Sequence, residues 1–124
     1  MPSPETVARK SFTVHINRLE SAALKWAAAR SGTTKIALVA ARLEPLWALL
    51  RAGSPVCEAL AESHSLFPRH TTVHVPISVA AWQALQIASA RQKIGPGVLA
   101  YRWLRPWLEG LIEQRAGDSL EAAG

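Results

Sequence analysis

The chain states one short pattern twice. Residues 12–16 read FTVHI and residues 71–75 read TTVHV. Each is followed by a helical pattern, a turn, a second helical pattern and a Leu-x-Pro close. A shift of 59 positions lays Thr13, Val14 and His15 on Thr72, Val73 and His74, and Ala22 and Ala29 on Ala81 and Ala88. Two extra residues in the second turn raise the shift to 61, and Leu38, Leu43, Pro45 and Leu50 then fall on Leu99, Leu104, Pro106 and Leu111. The shared Thr-Val-His and the shared mid-helix proline are the informative matches, because neither merely fills a core. A duplication of this length constrains the fold strongly, since two copies of one supersecondary unit must find a way to bury their apolar faces together.

Each copy opens with a strand pattern. Phe12, Val14 and Ile16 alternate with Thr13, His15 and Asn17, which is the period of a half-buried strand. Val73 and Val75 alternate with Thr72 and His74 in the same way, and Pro76 is expected to end that strand as Asn17 ends the first. In the first copy a helix should follow with Leu19, Ala22, Ala23, Trp26 and Ala29 on one stripe. In the second copy Ser78 reads as an N-cap, ahead of Val79, Trp82, Leu85 and Ala88. The turns are SGTTK at 31–35 and QKIGPG at 92–97, with Gly32 as helix terminator and Thr33 or Thr34 as the next N-cap.

The second helices carry Ile36, Val39, Ala40, Leu43, Trp47 and Leu50, then Leu99, Ala100, Trp103, Leu104, Trp107, Leu108 and Leu111. They are apolar over much of their circumference, and Pro45 and Pro106 are expected to kink them. A strand-helix-helix unit of this size cannot bury so much surface alone, but two together can. The organisation expected is a first unit at 9–50, a linker at 51–70 with a short helix from Ser54-Pro55 through Glu62, a second unit at 71–113 and a flexible tail at 114–124. The five tryptophans lie at helical spacing and read as core, with Trp103 and Trp107 open to a protein-binding role.

Charge is unevenly spread. Residues 1–52 hold eight basic and three acidic residues, whereas residues 53–124 hold six of each. A basic front half points to a polyanion, most simply nucleic acid. His70 and His74 stand four apart, but on a strand pattern and without a cysteine pair, so no metal is expected. No nucleophile motif, phosphate loop or paired carboxylates is visible, so neither an enzyme nor a cofactor is expected. A single cysteine, Cys57, cannot close an intrachain disulfide, and the opening MPSPETVARK holds no apolar stretch of signal-peptide length. The most apolar run, residues 36–50, is broken by Arg42, Glu44 and Pro45, which argues against a membrane span. The expected compartment is the cytoplasm.

A short strand, two helices, a glycine turn and the need for a twin resemble the ribbon-helix-helix superfamily, of the Arc, MetJ and CopG type. The second copy, TTVHVPISVAAWQALQIASARQKIGPGVLAYRWLRPWL, is similar to CopG-type antitoxin sequences, and FTVHINRLESAALKWAAARSGTTKIALVAARLEPLW is a more degenerate version. The resemblance implies a mainly α fold with a two-stranded antiparallel ribbon and four principal helices, paired within the chain as a pseudo-dimer or between chains as a swapped homodimer. It implies that the ribbon enters the major groove of double-stranded DNA. Carried over, the base-reading set is Thr13, His15 and Asn17 with Thr72 and His74. The phosphate contacts are Arg9, Lys10, Arg69 and His70 before the strands, and Thr33, Thr34, Lys35, Gly95 and Gly97 at the starts of the second helices.

The chain departs from that family in carrying both units itself, in having no Arg or Lys on the outward ribbon positions, and in opposing Asn17 to Pro76. The expected function is a sequence-specific transcriptional repressor. The alternatives are an antitoxin-type protein that masks a partner protein and a structural dimerisation module. A helix-turn-helix over 21–43 is disfavoured because IALVAARLEPLW is too apolar for a recognition helix.

Overall fold

The structure is a computed structural model that describes residues 9–60 and 67–123. It is mainly helical, with one two-stranded sheet. In order the elements are β1 (Arg9–Ile16), α1 (Arg18–Ser31), α2 (Lys35–Arg51), a 3-10 helix (Val56–Ala59), β2 (Thr71–Ser78), α3 (Val79–Gln92) and α4 (Pro96–Ala123).

β1 and β2 pair antiparallel within the one chain, from Arg9 opposite Ser78 to Ile16 opposite Thr71. Val14 stands opposite Val73. Period-two alternation then sorts the side chains. Phe12, Val14, Ile16, Val73, Val75 and Ile77 are all buried on one face of the ribbon. Beneath them lie Leu24, Leu43, Leu46, Trp47, Leu85, Leu99, Leu104 and Leu108. Phe12 meets the Trp47 ring edge-on at 5.8 Å and lies 6.0 Å from the Trp82 ring. The helices interlock across the halves: α1 packs on α4, α2 on α3, α4 on β1 and α2 on β2. Neither half therefore closes over its own strand.

Several helix ends follow local chemistry. Gly32 terminates α1 at φ 66°, a left-handed conformation that glycine adopts without a Cβ penalty. Thr34 caps α2 by accepting from the Ala37 N–H, and Ser78 caps α3 by accepting from the Ala81 N–H. The turn after α3 ends differently from the one after α1. Lys93, at φ 56°, takes the left-handed position and donates to the carbonyls of Ser89 and Ala90.

Other expectations are corrected. β2 runs through Pro76 to Ser78. Both strands of a two-stranded ribbon are edge strands, and a position that donates no ladder bond can give up its N–H. The buried stripe of α1 is Glu20, Ala23, Leu24, Ala27 and Ala28, so the helix is rotated from the expected stripe and Leu19 is left exposed. Ile36 is likewise exposed at the start of α2. The linker helix is only the 3-10 turn Val56–Ala59, and its expected end at Glu62 lies outside the described residues. α4 does not stop at 113 but continues to Ala123. Asp118 ties it back to α1, accepting from Trp26 Nε1 at 3.2 Å and bridging Arg30 at 2.9 Å. Both α2 and α4 remain single helices through Pro45 and Pro106.

The rotation of α1 has a cause. Asn17 and Glu20 form a reciprocal cap, each side chain accepting from the other's backbone N–H, at 2.8 and 2.9 Å. Glu20 is 1% exposed, and its other carboxylate oxygen accepts from the Tyr101 hydroxyl at 2.7 Å. Arg105 donates to that hydroxyl at 3.3 Å and to Glu109 at 2.9 Å. Partial burial works against the Arg105 charge, but the Glu109 bond and the nearby Tyr101 outweigh it and hold the guanidinium above its ordinary value. A buried carboxylate needs such partners, and they come from α4 of the other half.

Tyr101→Phe is expected to lower stability by about 1–3 kcal/mol, because it removes a hydrogen bond to a buried acceptor. Urea unfolding should show a lower midpoint at constant slope; an unchanged midpoint would mean that the Glu20–Tyr101 link contributes nothing. The 3-10 turn places Cys57 in the core, 5% exposed, and desolvation pushes its thiol up. Iodoacetamide should therefore modify Cys57 at least about tenfold more slowly in the folded chain than in the urea-unfolded chain at the same pH. Equal rates would contradict the burial.

Candidate nucleic-acid interface

The outward face of the ribbon is built by the same register that buries the valines. Thr13 stands opposite His74, and His15 opposite Thr72. The two Thr-His pairs flank Val14 and Val73. Thr13 Oγ1 and His74 Nδ1 are 3.0 Å apart, a cross-strand hydrogen bond in which the tautomer sets the donor. His15, Thr72 and His74 are exposed and Thr13 is half-buried. Ser11 and Pro76, both exposed, form the next pair outward. The quartet offers hydroxyl and imidazole groups on a surface one ribbon wide, with donor and acceptor capacity suited to base edges.

Asn17 does not belong to this surface. It is 6% exposed, and its side chain is engaged as the N-cap of α1. The chain leaves the strand at Asn17, so capping decides the side-chain direction instead of strand alternation. The Asn-x-x-Glu spacing of Asn17 and Glu20 is a capping signature that was legible in the sequence.

The expected phosphate contacts divide. Arg9 begins β1, and its side chain lies outside the described residues. Lys10 is exposed in the strand itself, its ammonium 5.9 Å from the Trp82 ring centroid. Arg69 stacks on Tyr101 at 4.3 Å and donates to the His15 carbonyl at 3.4 Å, so it braces the ribbon from one end. Thr33 and Thr34 are exposed at the start of α2, Thr34 as its cap, and Lys35 Nζ lies 3.5 Å from Ser21 Oγ. Gly95 precedes α4, and its carbonyl accepts from the Val98 and Leu99 N–H groups.

Gly97 is informative. A Cβ there would stand 3.3 Å from the Thr13 carbonyl oxygen, so the first turn of α4 packs closely against the backbone of β1. This brings the start of α4 to the ribbon across 84 residues of sequence, counted as 97 minus 13. Neither α2 nor α4 has an acidic residue in its first turn, so the positive end of each helix dipole is not countered locally.

Sequence reasoning missed Arg18. It is the first residue of α1, exposed, with its guanidinium 5.2 Å from the Phe67 ring centroid. Its signal was present, since a helix capped by Asn17 must place residue 18 at the end of β1. Trp103 donates to the Arg42 carbonyl at 2.9 Å, and Arg42 lies over Trp107 at 5.8 Å, so both rings are used within the molecule. Among the described residues no group of three or more His, Cys, Asp or Glu is placed to hold a metal ion, and no helix is long and apolar enough to cross a membrane. Comparison with models of protein families, with curated proteins and with solved structures gives no match to this chain.

Proposed function

We propose that the chain is a cytoplasmic, sequence-specific DNA-binding regulator, a repressor built as two ribbon-helix-helix units that pair within one chain. The observation that carries this reading is the Thr13–His74 and His15–Thr72 quartet on the outward face of a ribbon that buries six apolar side chains on its other face. The register supports the internal pairing. Val14 is opposite Val73, its own equivalent under the repeat shift of 59, so a pseudo-twofold axis passes through that pair. In the proposed complex the quartet reads base edges in the major groove, while the uncountered starts of α2 and α4 grip phosphates to either side.

A second reading is an interaction protein of the antitoxin kind, and one observation favours it. A groove between α2 and α3, lined by Leu50, Arg51, Ala80, Ala84, Ile87 and Arg91, leaves Ile87 56% exposed. Such a surface suits a protein partner. The two readings separate on one substitution, since Ile87→Glu would cut partner binding and leave duplex binding intact.

DNA affinity should fall as salt rises, with a log–log slope of roughly −3 to −6 for a few neutralised phosphates. Thr13→Ala with His15→Ala, and separately Thr72→Ala with His74→Ala, should each reduce discrimination among sequences by about 1–3 kcal/mol while leaving the melting curve in place. A gel shift over a salt series on duplexes selected from a random pool makes both measurements. Folded protein that binds no duplex at 50 mM salt would rule the reading out, and two silent double variants would remove the ribbon as the reader.

A further inference from the structure

The ribbon is not the same at its two ends. Where β1 runs into α1 and the chain enters β2, a concavity of about 370 Å³ is lined by Arg18, Phe67, Pro68, His70 and Thr71. Among the described residues no carboxylate lines it. Arg18 and His70 are both exposed. The Arg18 guanidinium lies over the Phe67 ring at 5.2 Å, a cation–π contact that restrains a long side chain and does not use its N–H donors. His70 immediately precedes β2, the strand that carries Thr72 and His74. An aromatic-braced guanidinium beside an imidazole is chemistry that selects a tetrahedral oxyanion.

Among the described residues, the other end of the ribbon has Lys10 over the Trp82 ring but no equivalent of the Arg18–His70 pair. Under the repeat shift of 59, Arg18 corresponds to Ile77, which is 2% exposed in the core, and His70 corresponds to Ser11. We propose that Arg18 and His70 form a one-sided clamp for a backbone phosphate, and that this clamp fixes the direction in which the chain lies on its duplex. The clamp rests on the DNA-binding reading above. Its position fits that ligand. His70 lies three residues from Val73, and at about 3.3 Å per residue the clamp stands roughly 10 Å from the centre of the ribbon. That is about three nucleotide steps at about 3.4 Å each along one strand. The central quartet is the same in both halves and so reads a near-symmetric core; the clamp supplies the polarity.

The test uses the full chain and a 30-base-pair duplex selected from a random pool. Arg18→Gln is the main variant, His70→Asn the second, and Lys25→Gln the control, since Lys25 is an exposed cation elsewhere on α1. Thermal melting first establishes that each variant is folded. Arg18→Gln is expected to weaken duplex binding about three- to tenfold and to reduce the salt slope by about one, with the control unchanged. Phosphate-ethylation interference on the wild-type complex should show an additional contact on one flank only, lost in both clamp variants. Unchanged affinity and slope in folded Arg18→Gln and His70→Asn overturn the clamp while leaving the DNA reading standing, as does symmetric interference in the wild type. Failure of wild-type protein to bind any duplex overturns both. Inorganic phosphate is titrated separately while the His70 ring resonances are followed. Saturable binding there, with duplex affinity insensitive to Arg18→Gln, would assign the concavity to a free anion and likewise overturn the clamp.

Discussion

Everything in this molecule depends on the pairing of two strands that lie far apart in sequence. An isolated two-stranded ribbon is marginal in water. This one persists because its inner face is six apolar side chains, and because the helices beneath it come from both halves. α4 supports β1 and α2 supports β2, so separating the strands would uncover the core of each half at once. The connection does not resist this arrangement. Twenty residues, 51–70, can extend to about 66 Å, far beyond what a chain of this size has to span, and loop closure grows only slowly with length.

The same pairing explains why the outer face is polar without being charged. Alternation along β1 and β2 gives every inward apolar residue an outward neighbour, and the register then sets Thr against His twice. Cross-strand pairs of this type stabilise the ribbon modestly while leaving lone pairs and donors toward solvent. Cations stand at the margins instead, with Lys10 at one end and Arg18 and Arg69 at the other. On the proposed DNA-binding reading, such a surface separates positioning, which charge performs, from discrimination, which hydrogen-bond geometry performs.

Much of this was legible in the sequence where the signal is local. The strands follow from period-two runs, and Gly32, Thr34 and Ser78 mark helix ends by well-understood backbone and side-chain chemistry. The valine register followed from the repeat itself. What was not legible depends on distant partners. The phase of α1 is set by Glu20, which looks like a surface residue until Tyr101 arrives from 81 positions away. The length of α4 is held by Asp118, whose partners Trp26 and Arg30 lie 92 and 88 positions earlier. For the candidate site, the Thr-His set was readable from alternation, but Asn17 was misplaced because capping overrides alternation at a strand end. Arg18 was overlooked because its significance depends on Phe67, which only the fold brings beside it.

Joining both halves in one polypeptide also changes what mutation can do. In a symmetric assembly of identical subunits every substitution occurs twice, on both sides of the axis, so neither side can be altered alone. Here a codon changes one side only. Asn17 and Pro76, Arg18 and Ile77, and Ser11 and His70 are positions where the two copies have already parted while the Thr-Val-His centre has not. Because β1 and β2 pair within one chain, their pairing does not depend on dilution. Such a chain can acquire a left and a right.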